Sequence, residues 1–558
     1  MQALARPLVH EEEATRRVTL YFVVTGFLAL LIGVAIGPLQ AFNYADLNLY
    51  PFLRPILQSY YQGLTIHAVM NAYAFPFFVI SGLLIYLSAK ELGLTPSLRL
   101  TWASYLIMLV GLLSVAYAMF DDSSNVLYTF YPPLKGSPFF YLGITLLVVG
   151  SLVPLWVILE MRARWHRLHP GQVTPLVTFM SAATLLMWLL AAIGAAVEAL
   201  FLLDPWSLGL VHGINPLLAR TLFWWTGHPI VYYWLLPAYI SWYALVPGQA
   251  GGKLLSGPLA RLAFILLLIF SVPVGIHHQF ADAGISPLIK GIVTGLTLSV
   301  AIPSLITAFT LASSLEYAGR LRGGRGWFGW IKKLPWNDPS VVAQLLAMIT
   351  FIFGGASGIV NGSWQLDNVV HNTTWIPGHF HITLGTATAL SFMGISFWLL
   401  PHLTGRRLYH KGIALGAVWL WFVGMLTFSL GMGWSGLLGV PRRDWISSLP
   451  HSVFHFLYGD ARVPLTLVGL GGTILLISAI LYYWVFFGTL LVAPRQAQRP
   501  EVPFAEAVSE GEGTGFVRVL DRLGAWTLFT FVLVLLIYVP TLWVIVHHPV
   551  IAHGVNPF

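Results

Sequence analysis

The sequence predicts an all-α integral membrane protein of about 13 transmembrane helices, with its N-terminus inside and its C-terminus outside. Three observations carry that expectation. The 558 residues are 57% hydrophobic and only 9% charged, against about 25% charged in soluble domains. Apolar runs of about 20 residues, long enough to cross a bilayer, recur along the whole chain. Lys and Arg gather in alternate loops between those runs, the pattern that orients membrane proteins. The net charge of +8 therefore reflects topology, and no nucleic-acid partner is expected. The chain has no cysteine, which excludes disulfides, zinc knuckles, iron–sulfur clusters and thiolate catalysis. A transition metal would have to be held by His, carboxylate or Met.

The polar stretch 1–17 ends in Arg16-Arg17 and is expected in the cytoplasm. The run 18–42 is too long for a signal-peptide core, and no small-residue cleavage site clearly ends it, so it is read as a retained first span. Further spans are expected at 62–89, 101–120, 137–160, 174–203, 217–246, 258–281, 286–315, 340–362, 375–401, 412–438, 463–492 and 524–547. Together they form one membrane core over 18–547, followed by an outer tail at 548–558. One set of loops carries Lys90 and Arg99, Arg162 to Arg167, Lys253 and Arg261, Arg320 to Lys333, and Arg406 and Arg407. The other set is poor in cations and holds Asp46, Asp121, Asp122, Asp204, Asp282 and Asp367, with Arg442 and Arg443 as its exception.

On this topology six histidines share the outer half of the bilayer. His67 opens the second span, and His228 lies about 11 residues into the sixth, roughly 16 Å deep. His277 and His278 close the seventh, while His379 and His381 open the tenth. An interhelical hydrogen bond accounts for one intramembrane histidine but not for six at matched depth, and ionisable groups in lipid mark function. Neutral imidazole binds haem iron, copper and zinc. His228 and Tyr232 stand at i, i+4 on one helical face. Pro229 removes a helical donor beside the histidine, and Gly227 leaves room. With the pair His277-His278, three imidazoles from two helices suit copper or zinc with an open position. His379 and His381 are two residues apart and point to nearly opposite sides of a helix. That helix therefore offers one imidazole to each of two neighbours, in an order that helical geometry alone leaves open.

Gly-His-Pro followed by Tyr232, then a His-His pair, then His-x-His on a later span, with one earlier histidine, resembles subunit I of the haem–copper oxidases. The resemblance covers essentially the whole chain and is closest to the B-type branch, the ba-type cytochrome c oxidases. The A-type branch has Glu after Gly-His-Pro, where this chain has Ile230, and an acidic residue in the second span, which is absent here. The resemblance implies a terminal oxidase of the cell inner (plasma) membrane. Such an enzyme reduces O2 to water with electrons from cytochrome c and couples this to proton uptake and translocation.

By the same resemblance, His67 and His381 would be the axial ligands of a low-spin haem of b type. His379 would hold a high-spin haem of a type, and His228, His277 and His278 a copper, with Tyr232 covalently linked to His228. Arg442, Arg443, Asp367 and His371 would lie at the haem propionates. A proton path would run through Tyr232, Tyr239, Tyr243, Ser304 and Thr307, although aromatic packing equally places three tyrosines on one face. The implied partners are a subunit II carrying a copper electron-entry site, a small single-helix subunit, and cytochrome c. Nitric oxide reductases of the same superfamily carry iron in place of copper, lack the His-paired tyrosine and add glutamates near the metal. A non-redox transporter gives no reason for His-x-His, and a hydrolytic zinc site leaves His67, His379 and His381 idle.

Overall fold

A computed structural model describes residues 2–511 and 514–554, with side chains from Glu11 onward. Met1 and the end of the expected outer tail, 555–558, lie outside the described residues. The architecture is helical throughout. Among the described residues the strands form two short pairs, Gly213–Ile214 antiparallel to Ala552–His553 and Leu254–Ser256 parallel to Ala507–Ser509.

Among the described residues, 11 helices are long and apolar enough to cross a membrane. Two of the 13 expected runs are not single long helices, and both are interrupted at histidines. The sixth run is broken into Pro216–Gly227 and Pro229–Ala244, with His228 as the joint. Pro229 has no N–H to give and crowds the preceding turn. The seventh run is helical only over Gly257–Ser271, since Pro273 follows, and it resumes as the tight turn Gly275–Gln279. A Cβ at Gly275 would lie 1.9 Å from the Trp224 carbonyl oxygen, so only glycine lets this turn close on the sixth run. The described part of the N-terminal stretch, 2–17, expected as a polar tail, extends the first helix, which runs Gln2–Tyr44.

Loops of the cation-rich set touch one another at one end of the bundle. Arg162 meets Asp521 at 3.4 Å, Lys253 meets Glu506 at 2.7 Å, and Lys90 pairs with Glu12. Loops of the cation-poor set meet at the other end, where Arg220 pairs with Asp282 at 2.8 Å and His451 with Asp46 at 2.8 Å. No ion pair among the described residues joins the two sets. The charge pattern therefore sorted the loops into two ends as expected.

The helix carrying His379 and His381 is clamped at its start. Thr374 N donates to Val440 O at 2.9 Å, its hydroxyl lies 2.8 Å from that of Ser435, and Trp375 Nε1 donates to Asn361 Oδ1 at 2.9 Å. A Cβ at Gly436 would sit 2.2 Å from Trp375 N, so Lys411–Leu437 can approach only because that residue is glycine. After Trp375–Phe380 comes a wide π-turn, His381–Thr388, before ordinary helix resumes at Ala389–Thr404. Such turns insert a residue and re-aim side chains, often at functional sites.

The helices Leu98–Phe120 and Pro138–Leu168 pack through Gly111 and Gly143, the close approach that small residues allow in membranes. A Cβ on Gly143 would fall 2.5 Å from Val115 Cγ2 and 2.8 Å from Gly111 O. Gly143→Leu is expected to destabilise the protein by about 1–3 kcal/mol through overpacking. This would appear as a lower thermal-unfolding midpoint in detergent; an unchanged midpoint would mean the pair does not depend on that approach.

Candidate metal centres

Four of the six candidate histidines have Nδ1 engaged by an acceptor. His67 Nδ1 lies 2.7 Å from Gly33 O and His381 Nδ1 2.7 Å from Pro377 O. His379 Nδ1 lies 2.8 Å from Ser357 Oγ, and that hydroxyl donates its own proton to Gly354 O at 2.8 Å. His277 Nδ1 lies 3.1 Å from Thr297 Oγ1, which donates to Val293 O at 2.7 Å. A carbonyl only accepts, and each hydroxyl has committed its proton elsewhere, so Nδ1 carries the hydrogen in all four rings. The Nε2 lone pair is left free, as metal ligation by imidazole requires.

His228, His277 and His278 bring one nitrogen each to within 4.8 Å of one another. His228 Nδ1 and His278 Nε2 are 3.2 Å apart, the separation of two ligands about 2.0 Å from one ion at a roughly tetrahedral angle. Trp224 stacks on His278 with centroids 3.8 Å apart and planes within 10°, which holds that ring in place. The remaining nitrogen of His228, Nε2, is buried without a hydrogen-bond partner, a cost that buried polar atoms seldom carry without a reason. The Tyr232 ring lies 5.2 Å from the His228 ring.

His67 and His381 face each other with ring planes within 11° and centroids 6.2 Å apart. That is too far for stacking. It matches two imidazoles on opposite sides of one metal atom, with a bond of about 2.0 Å on each side plus the half-width of each ring. The two histidines border an apolar cavity of about 380 Å³, whose wall also includes Gly37, Met425, Phe428 and Arg443, a size in the range of cofactor sites. Beside His379, a Cβ on Gly358 would come within 3.3 Å of Cε1, so the ring is approached closely only by glycine there. His379 is also close enough to His228 and His277 to interact with them electrostatically. His67, Tyr232, His278, His379 and His381 are half-buried rather than buried, although they lie inside the bundle. Internal space, not bulk solvent, accounts for their exposure.

At the cation-poor end, buried Asp367 accepts from His371 Nδ1 at 2.7 Å. Arg443 donates to Tyr128 Oη at 2.8 Å and Thr129 Oγ1 at 3.1 Å, and its guanidinium sits 4.8 Å over the Tyr128 ring. Arg442 donates to Asn372 Oδ1 at 3.1 Å, while its Nε is buried without a partner. Burial, and then the neighbouring Arg443, push the Arg442 guanidinium down to about 10. Both arginines border the cavity of His67 and His381 and are poised for an anion there. On the other side of the site, Tyr243 Oη donates to Thr307 Oγ1 at 2.8 Å, and Ser304 lies beside the Tyr239 hydroxyl.

All of the expected ligands therefore gather in two adjoining regions. Sequence reading missed Ser357 and Thr297, which hold His379 and His277, and Tyr128, Thr129 and Asn372, which hold the two arginines. Isolated hydroxyls in apolar runs are too common to single these out. It also missed a surface group, Asp46, His451 and His455, which forms only when the end of the first helix meets the loop before the twelfth span.

A membrane bundle that encloses aligned imidazole sites beside an apolar cavity defines a membrane-embedded metalloprotein. The family described as Cytochrome C and Quinol oxidase polypeptide I matches residues 17–459. The chain is 49% identical to Cytochrome c oxidase subunit 1 of Thermus thermophilus, over 96% of this chain and 95% of that one. It is 26% identical to Alternative cytochrome c oxidase subunit 1 of Bradyrhizobium diazoefficiens, over 75% of this chain and 71% of that one. A solved structure of a haem–copper terminal oxidase dimer superposes with a TM-score of 0.92 at 37% identity, covering 98% of this chain and 96% of that one. The chain belongs to the haem–copper oxidase superfamily, as its subunit I. It is the catalytic, oxidoreductase subunit of a membrane-bound terminal oxidase of the respiratory chain.

Thr297 touches no presumed ligand atom, yet it fixes the tautomer of His277. Thr297→Val is expected to weaken metal retention by the three-histidine cluster about 10–100-fold, as loss of such a supporting hydrogen bond does. Metal analysis after dialysis would check this, and retention equal to the parent protein would remove Thr297 from that role.

Proposed function

We propose that this is a B-type subunit that reduces O2 to water with electrons from cytochrome c, coupled to proton uptake and translocation. The observation that carries the reading is the Tyr232 ring 5.2 Å from the ring of His228, a histidine whose Nε2 is unpaired, one turn after Gly-His-Pro, with Ile230 where a carboxylate would stand in the A-type branch. A nitric oxide reductase would not need that tyrosine. The 49% identity to a relative named Cytochrome c oxidase subunit 1 supports the choice of donor.

In this reading His67 and His381 hold a low-spin haem of b type, His379 a high-spin haem of a type, and His228, His277 and His278 one copper. The parallel, outward-locked rings of His67 and His381 suit a six-coordinate site that relays electrons, and the single His379 suits a five-coordinate one. When bound, the haem iron and copper would supply the electrons that cleave O2, with Tyr232 able to add one more and a proton. An unpaired Nε2 on His228 and a Tyr232 ring 5.2 Å away suit a covalent His228–Tyr232 link. Arg442 and Arg443, with Asp367 and His371 close by, would hold and balance the propionates through charge-assisted hydrogen bonds. Tyr232, the Tyr239–Ser304 pair and the Tyr243–Thr307 pair line up as a row of hydroxyls that can pass a proton towards the site.

The cation-rich end would face the cytoplasm. The broken sixth and seventh runs would still carry the chain between the two ends, making 13 passes through the cell inner membrane, with the N-terminus inside and the C-terminus outside. Electrons would enter from a subunit II with its own copper site, alongside a small single-helix subunit.

Purified protein is expected to hold two haems, one of which binds CO when reduced, and one copper. Reduced-minus-oxidised spectra with and without CO, together with metal analysis, read this directly; iron without copper would sink the oxidase reading. Tyr232→Phe is expected to abolish steady-state O2 reduction while haem content stays intact. Normal turnover in that variant would take tyrosine out of the chemistry.

A further inference from the structure

A pocket at the cation-rich end is built differently from the loops around it. It lies where the start of the first span meets the end of the tenth and the end of the twelfth, so it sits at the membrane–water boundary. Its volume is about 590 Å³, and its wall carries Arg16, Arg17, Arg406, Arg495 and Arg499 against a single acid, Glu13.

Backbone pairing forces part of this convergence. Arg407 N donates to Pro494 O at 3.0 Å and Gln496 N to Gly405 O at 2.8 Å. These bonds make Arg406 and Arg495 direct antiparallel partners. Like charges opposite each other across paired strands are destabilising, and Arg406 and Arg495 are nevertheless locked there. Local groups offset only part of the charge. Arg16 is held by Glu12 at 2.7 Å and Glu13 at 2.6 Å. Arg406 Nη1 donates to Ala493 O at 2.6 Å, and Arg499 donates to Leu403 O at 2.8 Å with Glu13 3.5 Å away. Arg17 and Arg495 are exposed and have no ion-pair partner among the described residues. Orientation in the membrane requires cations on this side, but it does not require five of them to converge on one concavity.

The same pocket has an apolar flank. Leu20 and Leu490 line it, and Tyr21, Trp484, Leu491 and Val492 stand exposed on the same helices. A ligand with a phosphate in the pocket and hydrocarbon along that flank satisfies both features. Arginine forks match phosphate oxygens in pairs, and basic pockets between spans on this side of a membrane suit acidic lipid headgroups. An acidic peptide would satisfy the charge and leave the apolar flank bare. We infer that this pocket is a specific site for an anionic phospholipid, whose phosphate headgroup bridges Arg17, Arg406 and Arg495 and staples three span ends together.

The test uses the intact, delipidated oxidase complex in detergent, offered phosphatidylglycerol, phosphatidylcholine or millimolar inorganic phosphate. Native mass spectrometry and thermal unfolding are the readouts. The parent complex is expected to retain phosphatidylglycerol in preference to phosphatidylcholine and to unfold at a higher temperature with it. The double variant Arg17→Gln/Arg495→Gln is expected to lose about thirtyfold in that affinity, as removal of two interfacial cations should, with haem spectra and oxygen consumption unchanged. The charge-keeping pair Arg17→Lys/Arg495→Lys should retain most of the binding, which separates a lost site from a damaged fold. Equal retention of both lipids overturns the inference, as does equal retention by the parent and the Gln variant. So does a thermal shift reproduced in full by inorganic phosphate alone, or a pocket found cross-linked to an acidic segment of a partner subunit.

Discussion

An imidazole inside a membrane bundle has to dispose of one N–H proton where no water can take it. That requirement organises this protein. Each of His67, His277, His379 and His381 meets it locally, through a carbonyl or a hydroxyl that already donates elsewhere. The bond fixes the tautomer, the tautomer aims Nε2, and the aimed nitrogens define where metal can sit. Without those acceptors each ring would be free to turn, and a buried unpaired polar group costs about 1–3 kcal/mol.

The segments that carry the histidines are irregular beside them. Pro229 stops the sixth run at His228, Pro273 stops the seventh just before His277, and a π-turn begins at His381. Interruptions of this kind expose backbone, which lipid does not tolerate but an enclosed polar site does. Glycines then let neighbours close over the breaks, as Gly275 does against Trp224 and Gly436 against Trp375. Rigidity around the site comes from the clamped loops, where Thr374 and Asn372 tie the tenth helix to the segment 435–442.

Charge is handled differently at the two ends of the bundle. At the cation-poor end, Arg442 and Arg443 are half-buried and held by Asn372, Tyr128 and Thr129, none of them an anion. At the cation-rich end, several arginines are exposed and share few acids. Both arrangements leave positive charge unbalanced within the chain. At the first, the surplus borders the histidine cavity; at the second, it borders the membrane surface.

Much of this was legible in the chain itself. Composition and run length declared a membrane bundle, and the alternation of Lys and Arg sorted the loops into two ends that the structure keeps apart. The motifs around His228, His277 and His379 pointed to the histidines that the structure brings together, because paired histidines are rare in apolar runs. Run length could not reveal that two of those runs would be broken, since proline in a membrane helix sometimes only bends it. Nor could it reveal that the stretch 2–17 is helical. The supporting hydroxyls of Ser357 and Thr297, the Tyr128 seat of Arg443 and the opposed Arg406 and Arg495 were invisible, for they depend on segments far apart in sequence. The sequence by itself determined which side chains are present and which face of a helix each occupies, because helical periodicity is local. Only the tertiary structure decided that His67 faces His381 at 6.2 Å and that His379 turns the other way, because the partner across a gap is set by how helices pack.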